Sequence, residues 1–428
     1  MRIAISPGTR TFRPSVWMKV LIVAPFLYGS QAGHGGGTLC FNVLRRLAKT
    51  EEVGFIGFCS PSLSPVDSQH VAELRALCSL VSLVPLEITW AKRILAKLCF
   101  VTKLEPFDAS LRRSKRMERA ITSAIAELRP DVAVFQFPWT AQFVACAQEI
   151  ATVMDVQDAF SVSAFRACVA ERNLLRRVHG FMRWIAWVIY ERRHYRRFDR
   201  VIAITEQDRN GLTLFSPGLN VTVSPAAIDI PELKANAYIA GCTVVFFGSF
   251  RHPPNVDAIR FFVREIWPDV ASARPDVTFL VAGRAPPEDL VALQTERIRF
   301  VGFVPDLLAF LRDAAVVVVP LRFGGGIKIK VLEAMAAGSA IVSTSVGTEE
   351  TGVEDGVHAL VRDDPVAFAA AVVELLACPT LARELANRAQ QLVRERFSWD
   401  AKMSQLMATL RAAVTTGSPN KACPRHAS

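Results

Sequence analysis

The chain has 428 residues, 51% of them apolar, which is more than one hydrophobic core usually holds and points to two domains. Its net charge of +10 is unevenly placed: residues 1–242 carry 30 basic against 20 acidic residues, whereas 243–377 carry 12 against 17. The first half is therefore expected to meet something acidic. Nine cysteines are scattered without a CxxC or Cys/His cluster, which speaks against a disulfide framework or a zinc site and predicts reduced, mostly buried thiols. No apolar run reaches the length of a membrane span.

Residues 1–17 lack the apolar core of a signal peptide and are expected to be a disordered extension, with Met18 as an alternative start. Lys19–Pro25 reads as a first strand. It is followed by the glycine-rich run YGSQAGHGGGT and a helix over CFNVLRRLAKT. Gly33, Gly35, Gly36, Gly37 and Thr38 would hold a phosphate or a substrate, or form a bare loop. Further strands are expected at Val53–Phe58, Ser79–Pro85, Asp131–Phe135 and Ala151–Asp155, and Phe198–Ile204 reads as the last strand of a Rossmann-like domain over 18–215.

Two segments interrupt this alternation. Residues 92–119 and 171–200 each hold nine basic and three acidic residues. In the second, Phe181, Trp184, Trp187 and Tyr190 precede Arg192, Arg193, Arg196 and Arg197. Aromatics beside arginines suit a helix lying on an anionic membrane surface. They equally suit a long helix that packs its rings on the core and leaves its arginines in water. No RNP, helix-turn-helix or zinc-finger pattern supports nucleic acid.

Residues 216–242, rich in Pro, Gly, Ser and Asn, read as a linker. From 243 to 395 strands and helices alternate regularly, which predicts a second parallel sheet. Ligands of such sheets sit beyond the carboxyl ends of the strands, here Gly248–Ser249, Gly283–Arg284, Gly302–Phe303 and Pro320–Gly326. The run Val316–Val319 has no polar member and must be covered on both faces. Gly324, Gly325 and Gly326 then leave room for close approach of an anion, and a helix from about Ile327 aims its amides at that space. Lys330 and Glu333 share a face of this helix, while Lys328 points elsewhere. The pair is either an intrahelical ion pair or a divided grip on a nucleotide, lysine on phosphate and glutamate on ribose.

The segments FFGSFRHPPNVDA, EIWPDV, LVAGRAP, RFVGFVPD, PLRFGGGIKIKVLEAMAAGSAIVSTSVGTEE and the late FSW stand in the order of the donor-binding domain of family 4 retaining glycosyltransferases, which residues 244–376 resemble. The resemblance is specific in this half and one of layout only in the first. It implies a GT-B fold: an α/β protein of two Rossmann-like domains facing a cleft, with a C-terminal helix, here 396–415, crossing back to the first domain and 416–428 as a disordered tail. It implies a metal-independent hexosyltransferase without a cofactor beyond its nucleoside-diphosphate sugar donor, acting on a sugar or lipid-linked acceptor. Such an enzyme is expected in the cytoplasm, peripheral on the inner face of the plasma membrane through 92–119 and 171–200, without nucleic acid.

The chain departs from the family pattern at two places. Glu333 matches the second of two glutamates eight positions apart, but the first falls on Gly325. Ser249 stands where an arginine is usual, leaving Arg251 or Asn255 to replace it. The resemblance assigns Lys330 and Arg251 to the departing diphosphate, with the amides of Gly324, Gly325 and Gly326, and Glu333 to the donor; Gly36 and Gly37 of the first glycine run and the strand ends at Gly248, Ser249, Gly302 and Phe303 are the remaining candidates for donor contacts. In VMDVQDAFS, Asp158 is the candidate for a sugar contact, with Gln157 where histidine is common; Asp155 or Asp158 as a helix cap remains open. A non-catalytic sugar-nucleotide-binding protein of the same fold, and a dinucleotide-dependent oxidoreductase, are the rival readings.

Overall fold

The computed structural model describes residues 17–30, 35–61, 64–171, 173–230, 241–250, 252–284, 286–324 and 326–416. Gly33, Arg251 and Gly325 lie outside the described residues, as do most of the expected N-terminal extension, residues 231–240 of the expected linker and nearly all of the C-terminal tail. The chain divides into two compact units, residues 1–224 with 403–428, and residues 225–402.

Unit 1 begins with β1 (Lys19–Ala24), α1 (Gly35–Leu47), β2 (Glu52–Cys59), α2 (Pro65–Leu77) and β3 (Leu80–Pro85). Three helices follow, α3 (Trp90–Lys103), α4 (Phe107–Leu111) and α5 (Lys115–Leu128), before β4 (Val132–Gln136). A 3-10 stretch at Pro138–Ala147 leads to β5 (Ala151–Asp155), α6 (Phe160–Ala170), α7 (Leu174–Tyr195), β6 (Arg200–Ala203), α8 (Glu206–Phe215) and β7 (Val221–Val223). All seven strands are parallel, in the order β3-β2-β1-β4-β5-β6-β7. The strand at Phe198–Ile204 is therefore not the last. Val221–Val223, inside the expected linker, pairs with β6 and closes the edge of the sheet.

Helix boundaries follow local chemistry. In α5 the Ser114 hydroxyl accepts from the Met117 amide, and Met117, Ile121, Ala124 and Leu128 recur at helical spacing and are buried against the sheet. The helix stops at Arg129, which turns left-handed (φ 51°). In α7 the two readings of the aromatic and basic segment divide the helix between them: Trp187, Tyr190 and Tyr195 are buried, whereas Leu174, Leu175, Val178 and Phe181 are exposed.

Unit 2 contains β8 (Thr243–Phe247), α9 (Pro253–Phe261), which passes through a π turn into α10 (Trp267–Ala273), then β9 (Thr278–Ala282), α11 (Glu288–Val291), β10 (Ile298–Gly302) and α12 (Leu307–Arg312). Next come β11 (Val316–Val319), α13 (Ile329–Ala337), β12 (Ile341–Ser343), α14 (Ser345–Thr348), β13 (Leu360–Val361), α15 (Pro365–Ala377) and α16 (Pro379–Phe397). The last helix, α17 (Trp399–Thr416), starts in this unit and ends in unit 1. The sheet is again parallel, ordered β10-β9-β8-β11-β12-β13. Val316–Val319 are fully buried, as an all-apolar central strand requires. Each such valine contributes about 1.5–3 kcal/mol of burial. Phe262, Trp267, Phe279 and Phe368 pack ring to ring beneath the sheet.

Strand order reverses between β1 and β4 in unit 1 and between β8 and β11 in unit 2. Connections there leave to opposite faces and open a crevice at the carboxyl ends of the strands. Among the described residues no single helix is long and apolar enough to cross a membrane; only the bent succession of α15 with the two helices after it reaches that length and composition.

Candidate active site

The switch point of unit 2 is built by four strand ends. Gly248 follows β8 with φ 156°, and a Cβ there would stand 2.8 Å from Asn255 Nδ2 and 3.0 Å from Lys330 Nζ. Gly283, after β9, is packed so closely on the Gly248 carbonyl that any Cβ would overlap it. Its amide donates to the Gly302 carbonyl at the end of β10 (2.8 Å). These three glycines bring β8, β9 and β10 into one backbone-lined floor. At its far side the Arg284 guanidinium lies over the half-exposed Phe303 ring, 3.8 Å from the centroid.

Lys330 enters this floor from α13. Its Nζ donates to Asn255 Oδ1 (2.6 Å) and to the Phe247 carbonyl (3.1 Å), and sits 4.2 Å above the Phe246 ring. Burial lowers its pKa from 10.5 to about 7, against the opposing pull of Glu333. Burial likewise raises Glu333 from 4.5 to about 7, with Lys330 opposing. Each group is thus poised to gain from a ligand: the lysine from an anion, the glutamate from hydroxyl or amide donors. Asn255, on α9, holds the lysine and also donates from Nδ2 to the Ser249 carbonyl (2.8 Å).

The loop after β11 is fixed from both ends. Arg322 makes a two-pronged ion pair with Asp257 of α9 (2.6 and 2.9 Å). Lys328 is 7% exposed and donates from Nζ to the carbonyls of Gly326 (2.9 Å) and Gly324 (3.4 Å), with Glu349 3.5 Å away. Gly324 (φ 139°) and Gly326 (φ 68°) take conformations that favour glycine. Lys328 points away from Lys330's partners, as expected, and folds inward as the cation that shapes the loop. The helix also starts at Ile329, two residues later than expected, because the chain at Gly324–Lys328 is tied by Lys328 before it can turn helical.

Of the expected donor contacts, Gly248, Ser249, Gly302, Phe303, Gly324, Gly326, Lys330 and Glu333 therefore gather at this switch point, while Arg251 and Gly325 lie outside the described residues. Gly36 and Gly37 belong to unit 1 and sit in the first turn of α1, which begins at Gly35; they are helical positions and not loop glycines.

The switch point of unit 1 carries a polar chain of its own. The buried Tyr28 hydroxyl donates to Gln136 Oε1 (2.6 Å), Gln136 Nε2 to Asp155 Oδ2 (3.3 Å), and Gln157 Nε2 to the same oxygen (2.7 Å). Phe137, directly after β4, and Gln157, two residues after the end of β5, hold positive φ (63° and 60°), a strain that non-glycine residues seldom bear. Gln157 Oε1 is buried without a hydrogen-bond partner. Asp158 stands beside this chain but accepts from Ser163 Oγ (2.6 Å). Neither aspartate caps α6, whose N-cap is Ala159.

Residues 241–378 match the family model described as "Glycosyl transferases group 1". This part of the chain is a group 1 glycosyl transferase domain. Among curated relatives, a phosphatidyl-myo-inositol mannosyltransferase of Mycobacterium leprae is 29% identical over 47% of this chain and 56% of its own. A lipopolysaccharide core biosynthesis mannosyltransferase of Rhizobium leguminosarum is 28% identical over 51% and 66%. An uncharacterised protein of the cps region of Klebsiella pneumoniae is 23% identical over 53% and 60%. The chain thus spans less than two thirds of the length of these relatives. Solved structures align over both units. Sucrose-phosphate synthase from Thermosynechococcus elongatus matches with a TM-score of 0.61 at 18% identity, covering 92% of this chain and 98% of its own. HepE from Anabaena, solved with UDP, matches at 0.60 and 15% identity, covering 92% and 100%. The two parallel-sheet units have the GT-B fold expected from sequence. In the glycosyl transferase domain the switch-point floor, Lys330 and the Gly324–Gly326 loop lie within the matched residues.

Proposed function

We propose that this chain is a retaining, metal-independent hexosyltransferase that moves a sugar from a nucleoside-diphosphate sugar to a lipid-linked or envelope-polysaccharide acceptor, working peripherally on the cytoplasmic face of the plasma membrane. The observation that carries the reading is Lys330: a buried ammonium held at a strand switch point beside the close-packed Gly248 and Gly283, one turn from Glu333. A diphosphate laid on this floor meets a cation and open backbone amides, and a ribose one step further meets a carboxylate. Arg284 stacked on Phe303 forms a flat wall suited to the base. The UDP complex of HepE, and the phosphatidyl-inositol and lipopolysaccharide acceptors named for the two mannosyltransferases, support the donor and acceptor classes.

Transfer breaks the bond between the anomeric carbon and the diphosphate oxygen, and charge grows on that oxygen. Lys330 and the loop amides stabilise it where it develops. The acceptor hydroxyl approaches from the face the diphosphate leaves, gives its proton to the departing phosphate oxygen, and forms the new bond with the same anomeric configuration. In unit 1, Asp158 and the unpaired Gln157 Oε1 are suited to accept from sugar hydroxyls. The donor is tested by thermal shift against a panel of UDP-, GDP- and other nucleotide sugars. One nucleotide class should raise Tm in the wild type and leave Lys330→Met unmoved; equal shifts in both proteins would remove the site.

A further inference from the structure

We propose that the exposed apolar stripes of α3 and of the first half of α7 form one docking face for an anionic lipid bilayer. This rests on the membrane-associated reading above and assigns it to particular side chains. On α3, Trp90, Ile94, Leu98 and Val101 recur at i, i+4, i+8 and i+11 and are exposed, Trp90 to 77% and Val101 to 66%, while Ala96 and Cys99 on the opposite side are buried. On α7, Leu174, Leu175, Val178 and Phe181 are exposed, Leu175 to 81%. The helices meet where the Phe100 ring packs against His179, centroids 5.5 Å apart. Beside them α6, joined to α7 through Cys168 and Arg177, adds exposed Phe165 and Val169. Apolar side chains this numerous on adjoining helices mark an interaction surface and not scattered surface residues.

Charge selects the occupant. Lys92, Arg93, Lys97 and Lys103 on α3 and Arg176, Arg177 and Arg183 on α7 frame the stripes, and no acidic residue occurs between 90 and 103 or between 174 and 190. None of these seven cations enters an ion pair among the described residues. A second copy of the chain would oppose like charges across the contact, whereas an anionic bilayer supplies counter-charge for the rim and hydrocarbon for the stripe. Trp90 at the start of α3 has the interfacial side chain such a contact uses. The aromatic C-terminal half of α7 is excluded, since Trp187 and Tyr190 belong to the core.

The test is co-sedimentation with phosphatidylcholine vesicles, with and without about one third phosphatidylglycerol, at about 50 and about 500 mM salt. Wild type should bind the anionic vesicles only, more weakly at high salt. Leu98→Glu with Leu175→Glu should lower binding about tenfold or more, while Val366→Glu, an exposed apolar position on α15 of the other unit, should bind like wild type. Folding is checked by circular dichroism, and the nucleotide-sugar thermal shift is recorded on the same variants. Equal binding by the double variant, no preference for anionic lipid, or a sedimenting wild-type dimer that the double variant dissociates would each overturn the proposal. A protein that docks as expected but shows no nucleotide shift supports the docking face and retires the transferase reading; a retained nucleotide shift without docking does the reverse.

Discussion

Replacing Lys330 by Met separates a functional lysine from a structural one. The side chains are similar in length, so the change removes the charge and the hydrogen bonds without opening a large cavity. In the native chain the ammonium titrates at about 7 in place of 10.5, and this gap corresponds to a penalty of about 5 kcal/mol on the charged form. Between these values the unfolded chain holds a proton that the native chain has released, so stability rises with pH from about 7 towards 10.5. Below 7 both states are protonated and the penalty acts in full. At pH 7 roughly 4 kcal/mol of it remains. Against this stand two hydrogen bonds, to Asn255 and Phe247, worth about 1 kcal/mol each, and an Asn255 oxygen left unpaired at a cost of about 1–2 kcal/mol. Lys330→Met should therefore be as stable as wild type or more stable, by up to about 1 kcal/mol, equivalent to roughly 2–4 °C. Thermal unfolding from pH 7 to 9.5 should show the Tm of wild type rising relative to that of the variant, groups common to both proteins, such as Glu191, cancelling in the difference. A loss of more than about 2 kcal/mol in the variant, without that relative rise, would show instead that Lys330 pins the fold.

Glu333→Gln should leave stability within about 1 kcal/mol of wild type near neutral pH, because burial already holds the native carboxyl half protonated there; calorimetric titration should show donor binding weakened about tenfold to hundredfold, the worth of one hydrogen bond to a charged group. Gly283→Ala places a methyl on the Gly248 carbonyl and should cost about 1–3 kcal/mol together with nucleotide affinity, read by denaturant unfolding and thermal shift. In unit 1, burial raises the Glu191 carboxyl from 4.5 to about 8, so the native chain holds its proton where the unfolded chain has lost it. Stability conferred there falls as pH rises from 4.5 to 8, and Glu191→Gln should flatten that part of a Tm-against-pH curve.

Where a pattern repeats along the chain, the sequence was sufficient. Val316–Val319 read as a doubly covered strand because no polar residue interrupts it, and Ala151–Asp155 was found to its ends. Val221–Val223 was lost because three residues between Asn220 and Ser224, set in a Pro- and Gly-rich run, give no alternation to read; only pairing with β6 makes them a strand. The helical repeat placed Lys330 and Glu333 on one face, but not the reach of Lys330 to Phe247, which is contact between residues 83 apart in sequence. Lys328 does point elsewhere, but its place on the loop carbonyls cannot be read from helical geometry, because it precedes the helix and folds back on its own loop. In α7 the composition held two signals in succession, a surface half and a core half, and no single moment could divide them. The strained Gln157 was noticed only as a departure from histidine; its positive φ and unpaired oxygen belong to the tertiary structure.

A unit 2 that holds a nucleoside-diphosphate sugar on Lys330 releases the nucleoside diphosphate on transfer. Its most direct readout is release of the nucleoside diphosphate from the nucleotide sugar that stabilises the wild type, in the presence of a lipid extract as acceptor source. The account predicts acceptor-dependent release by wild type and none above background by the equally folded Lys330→Met. Matching release by the two proteins would contradict it.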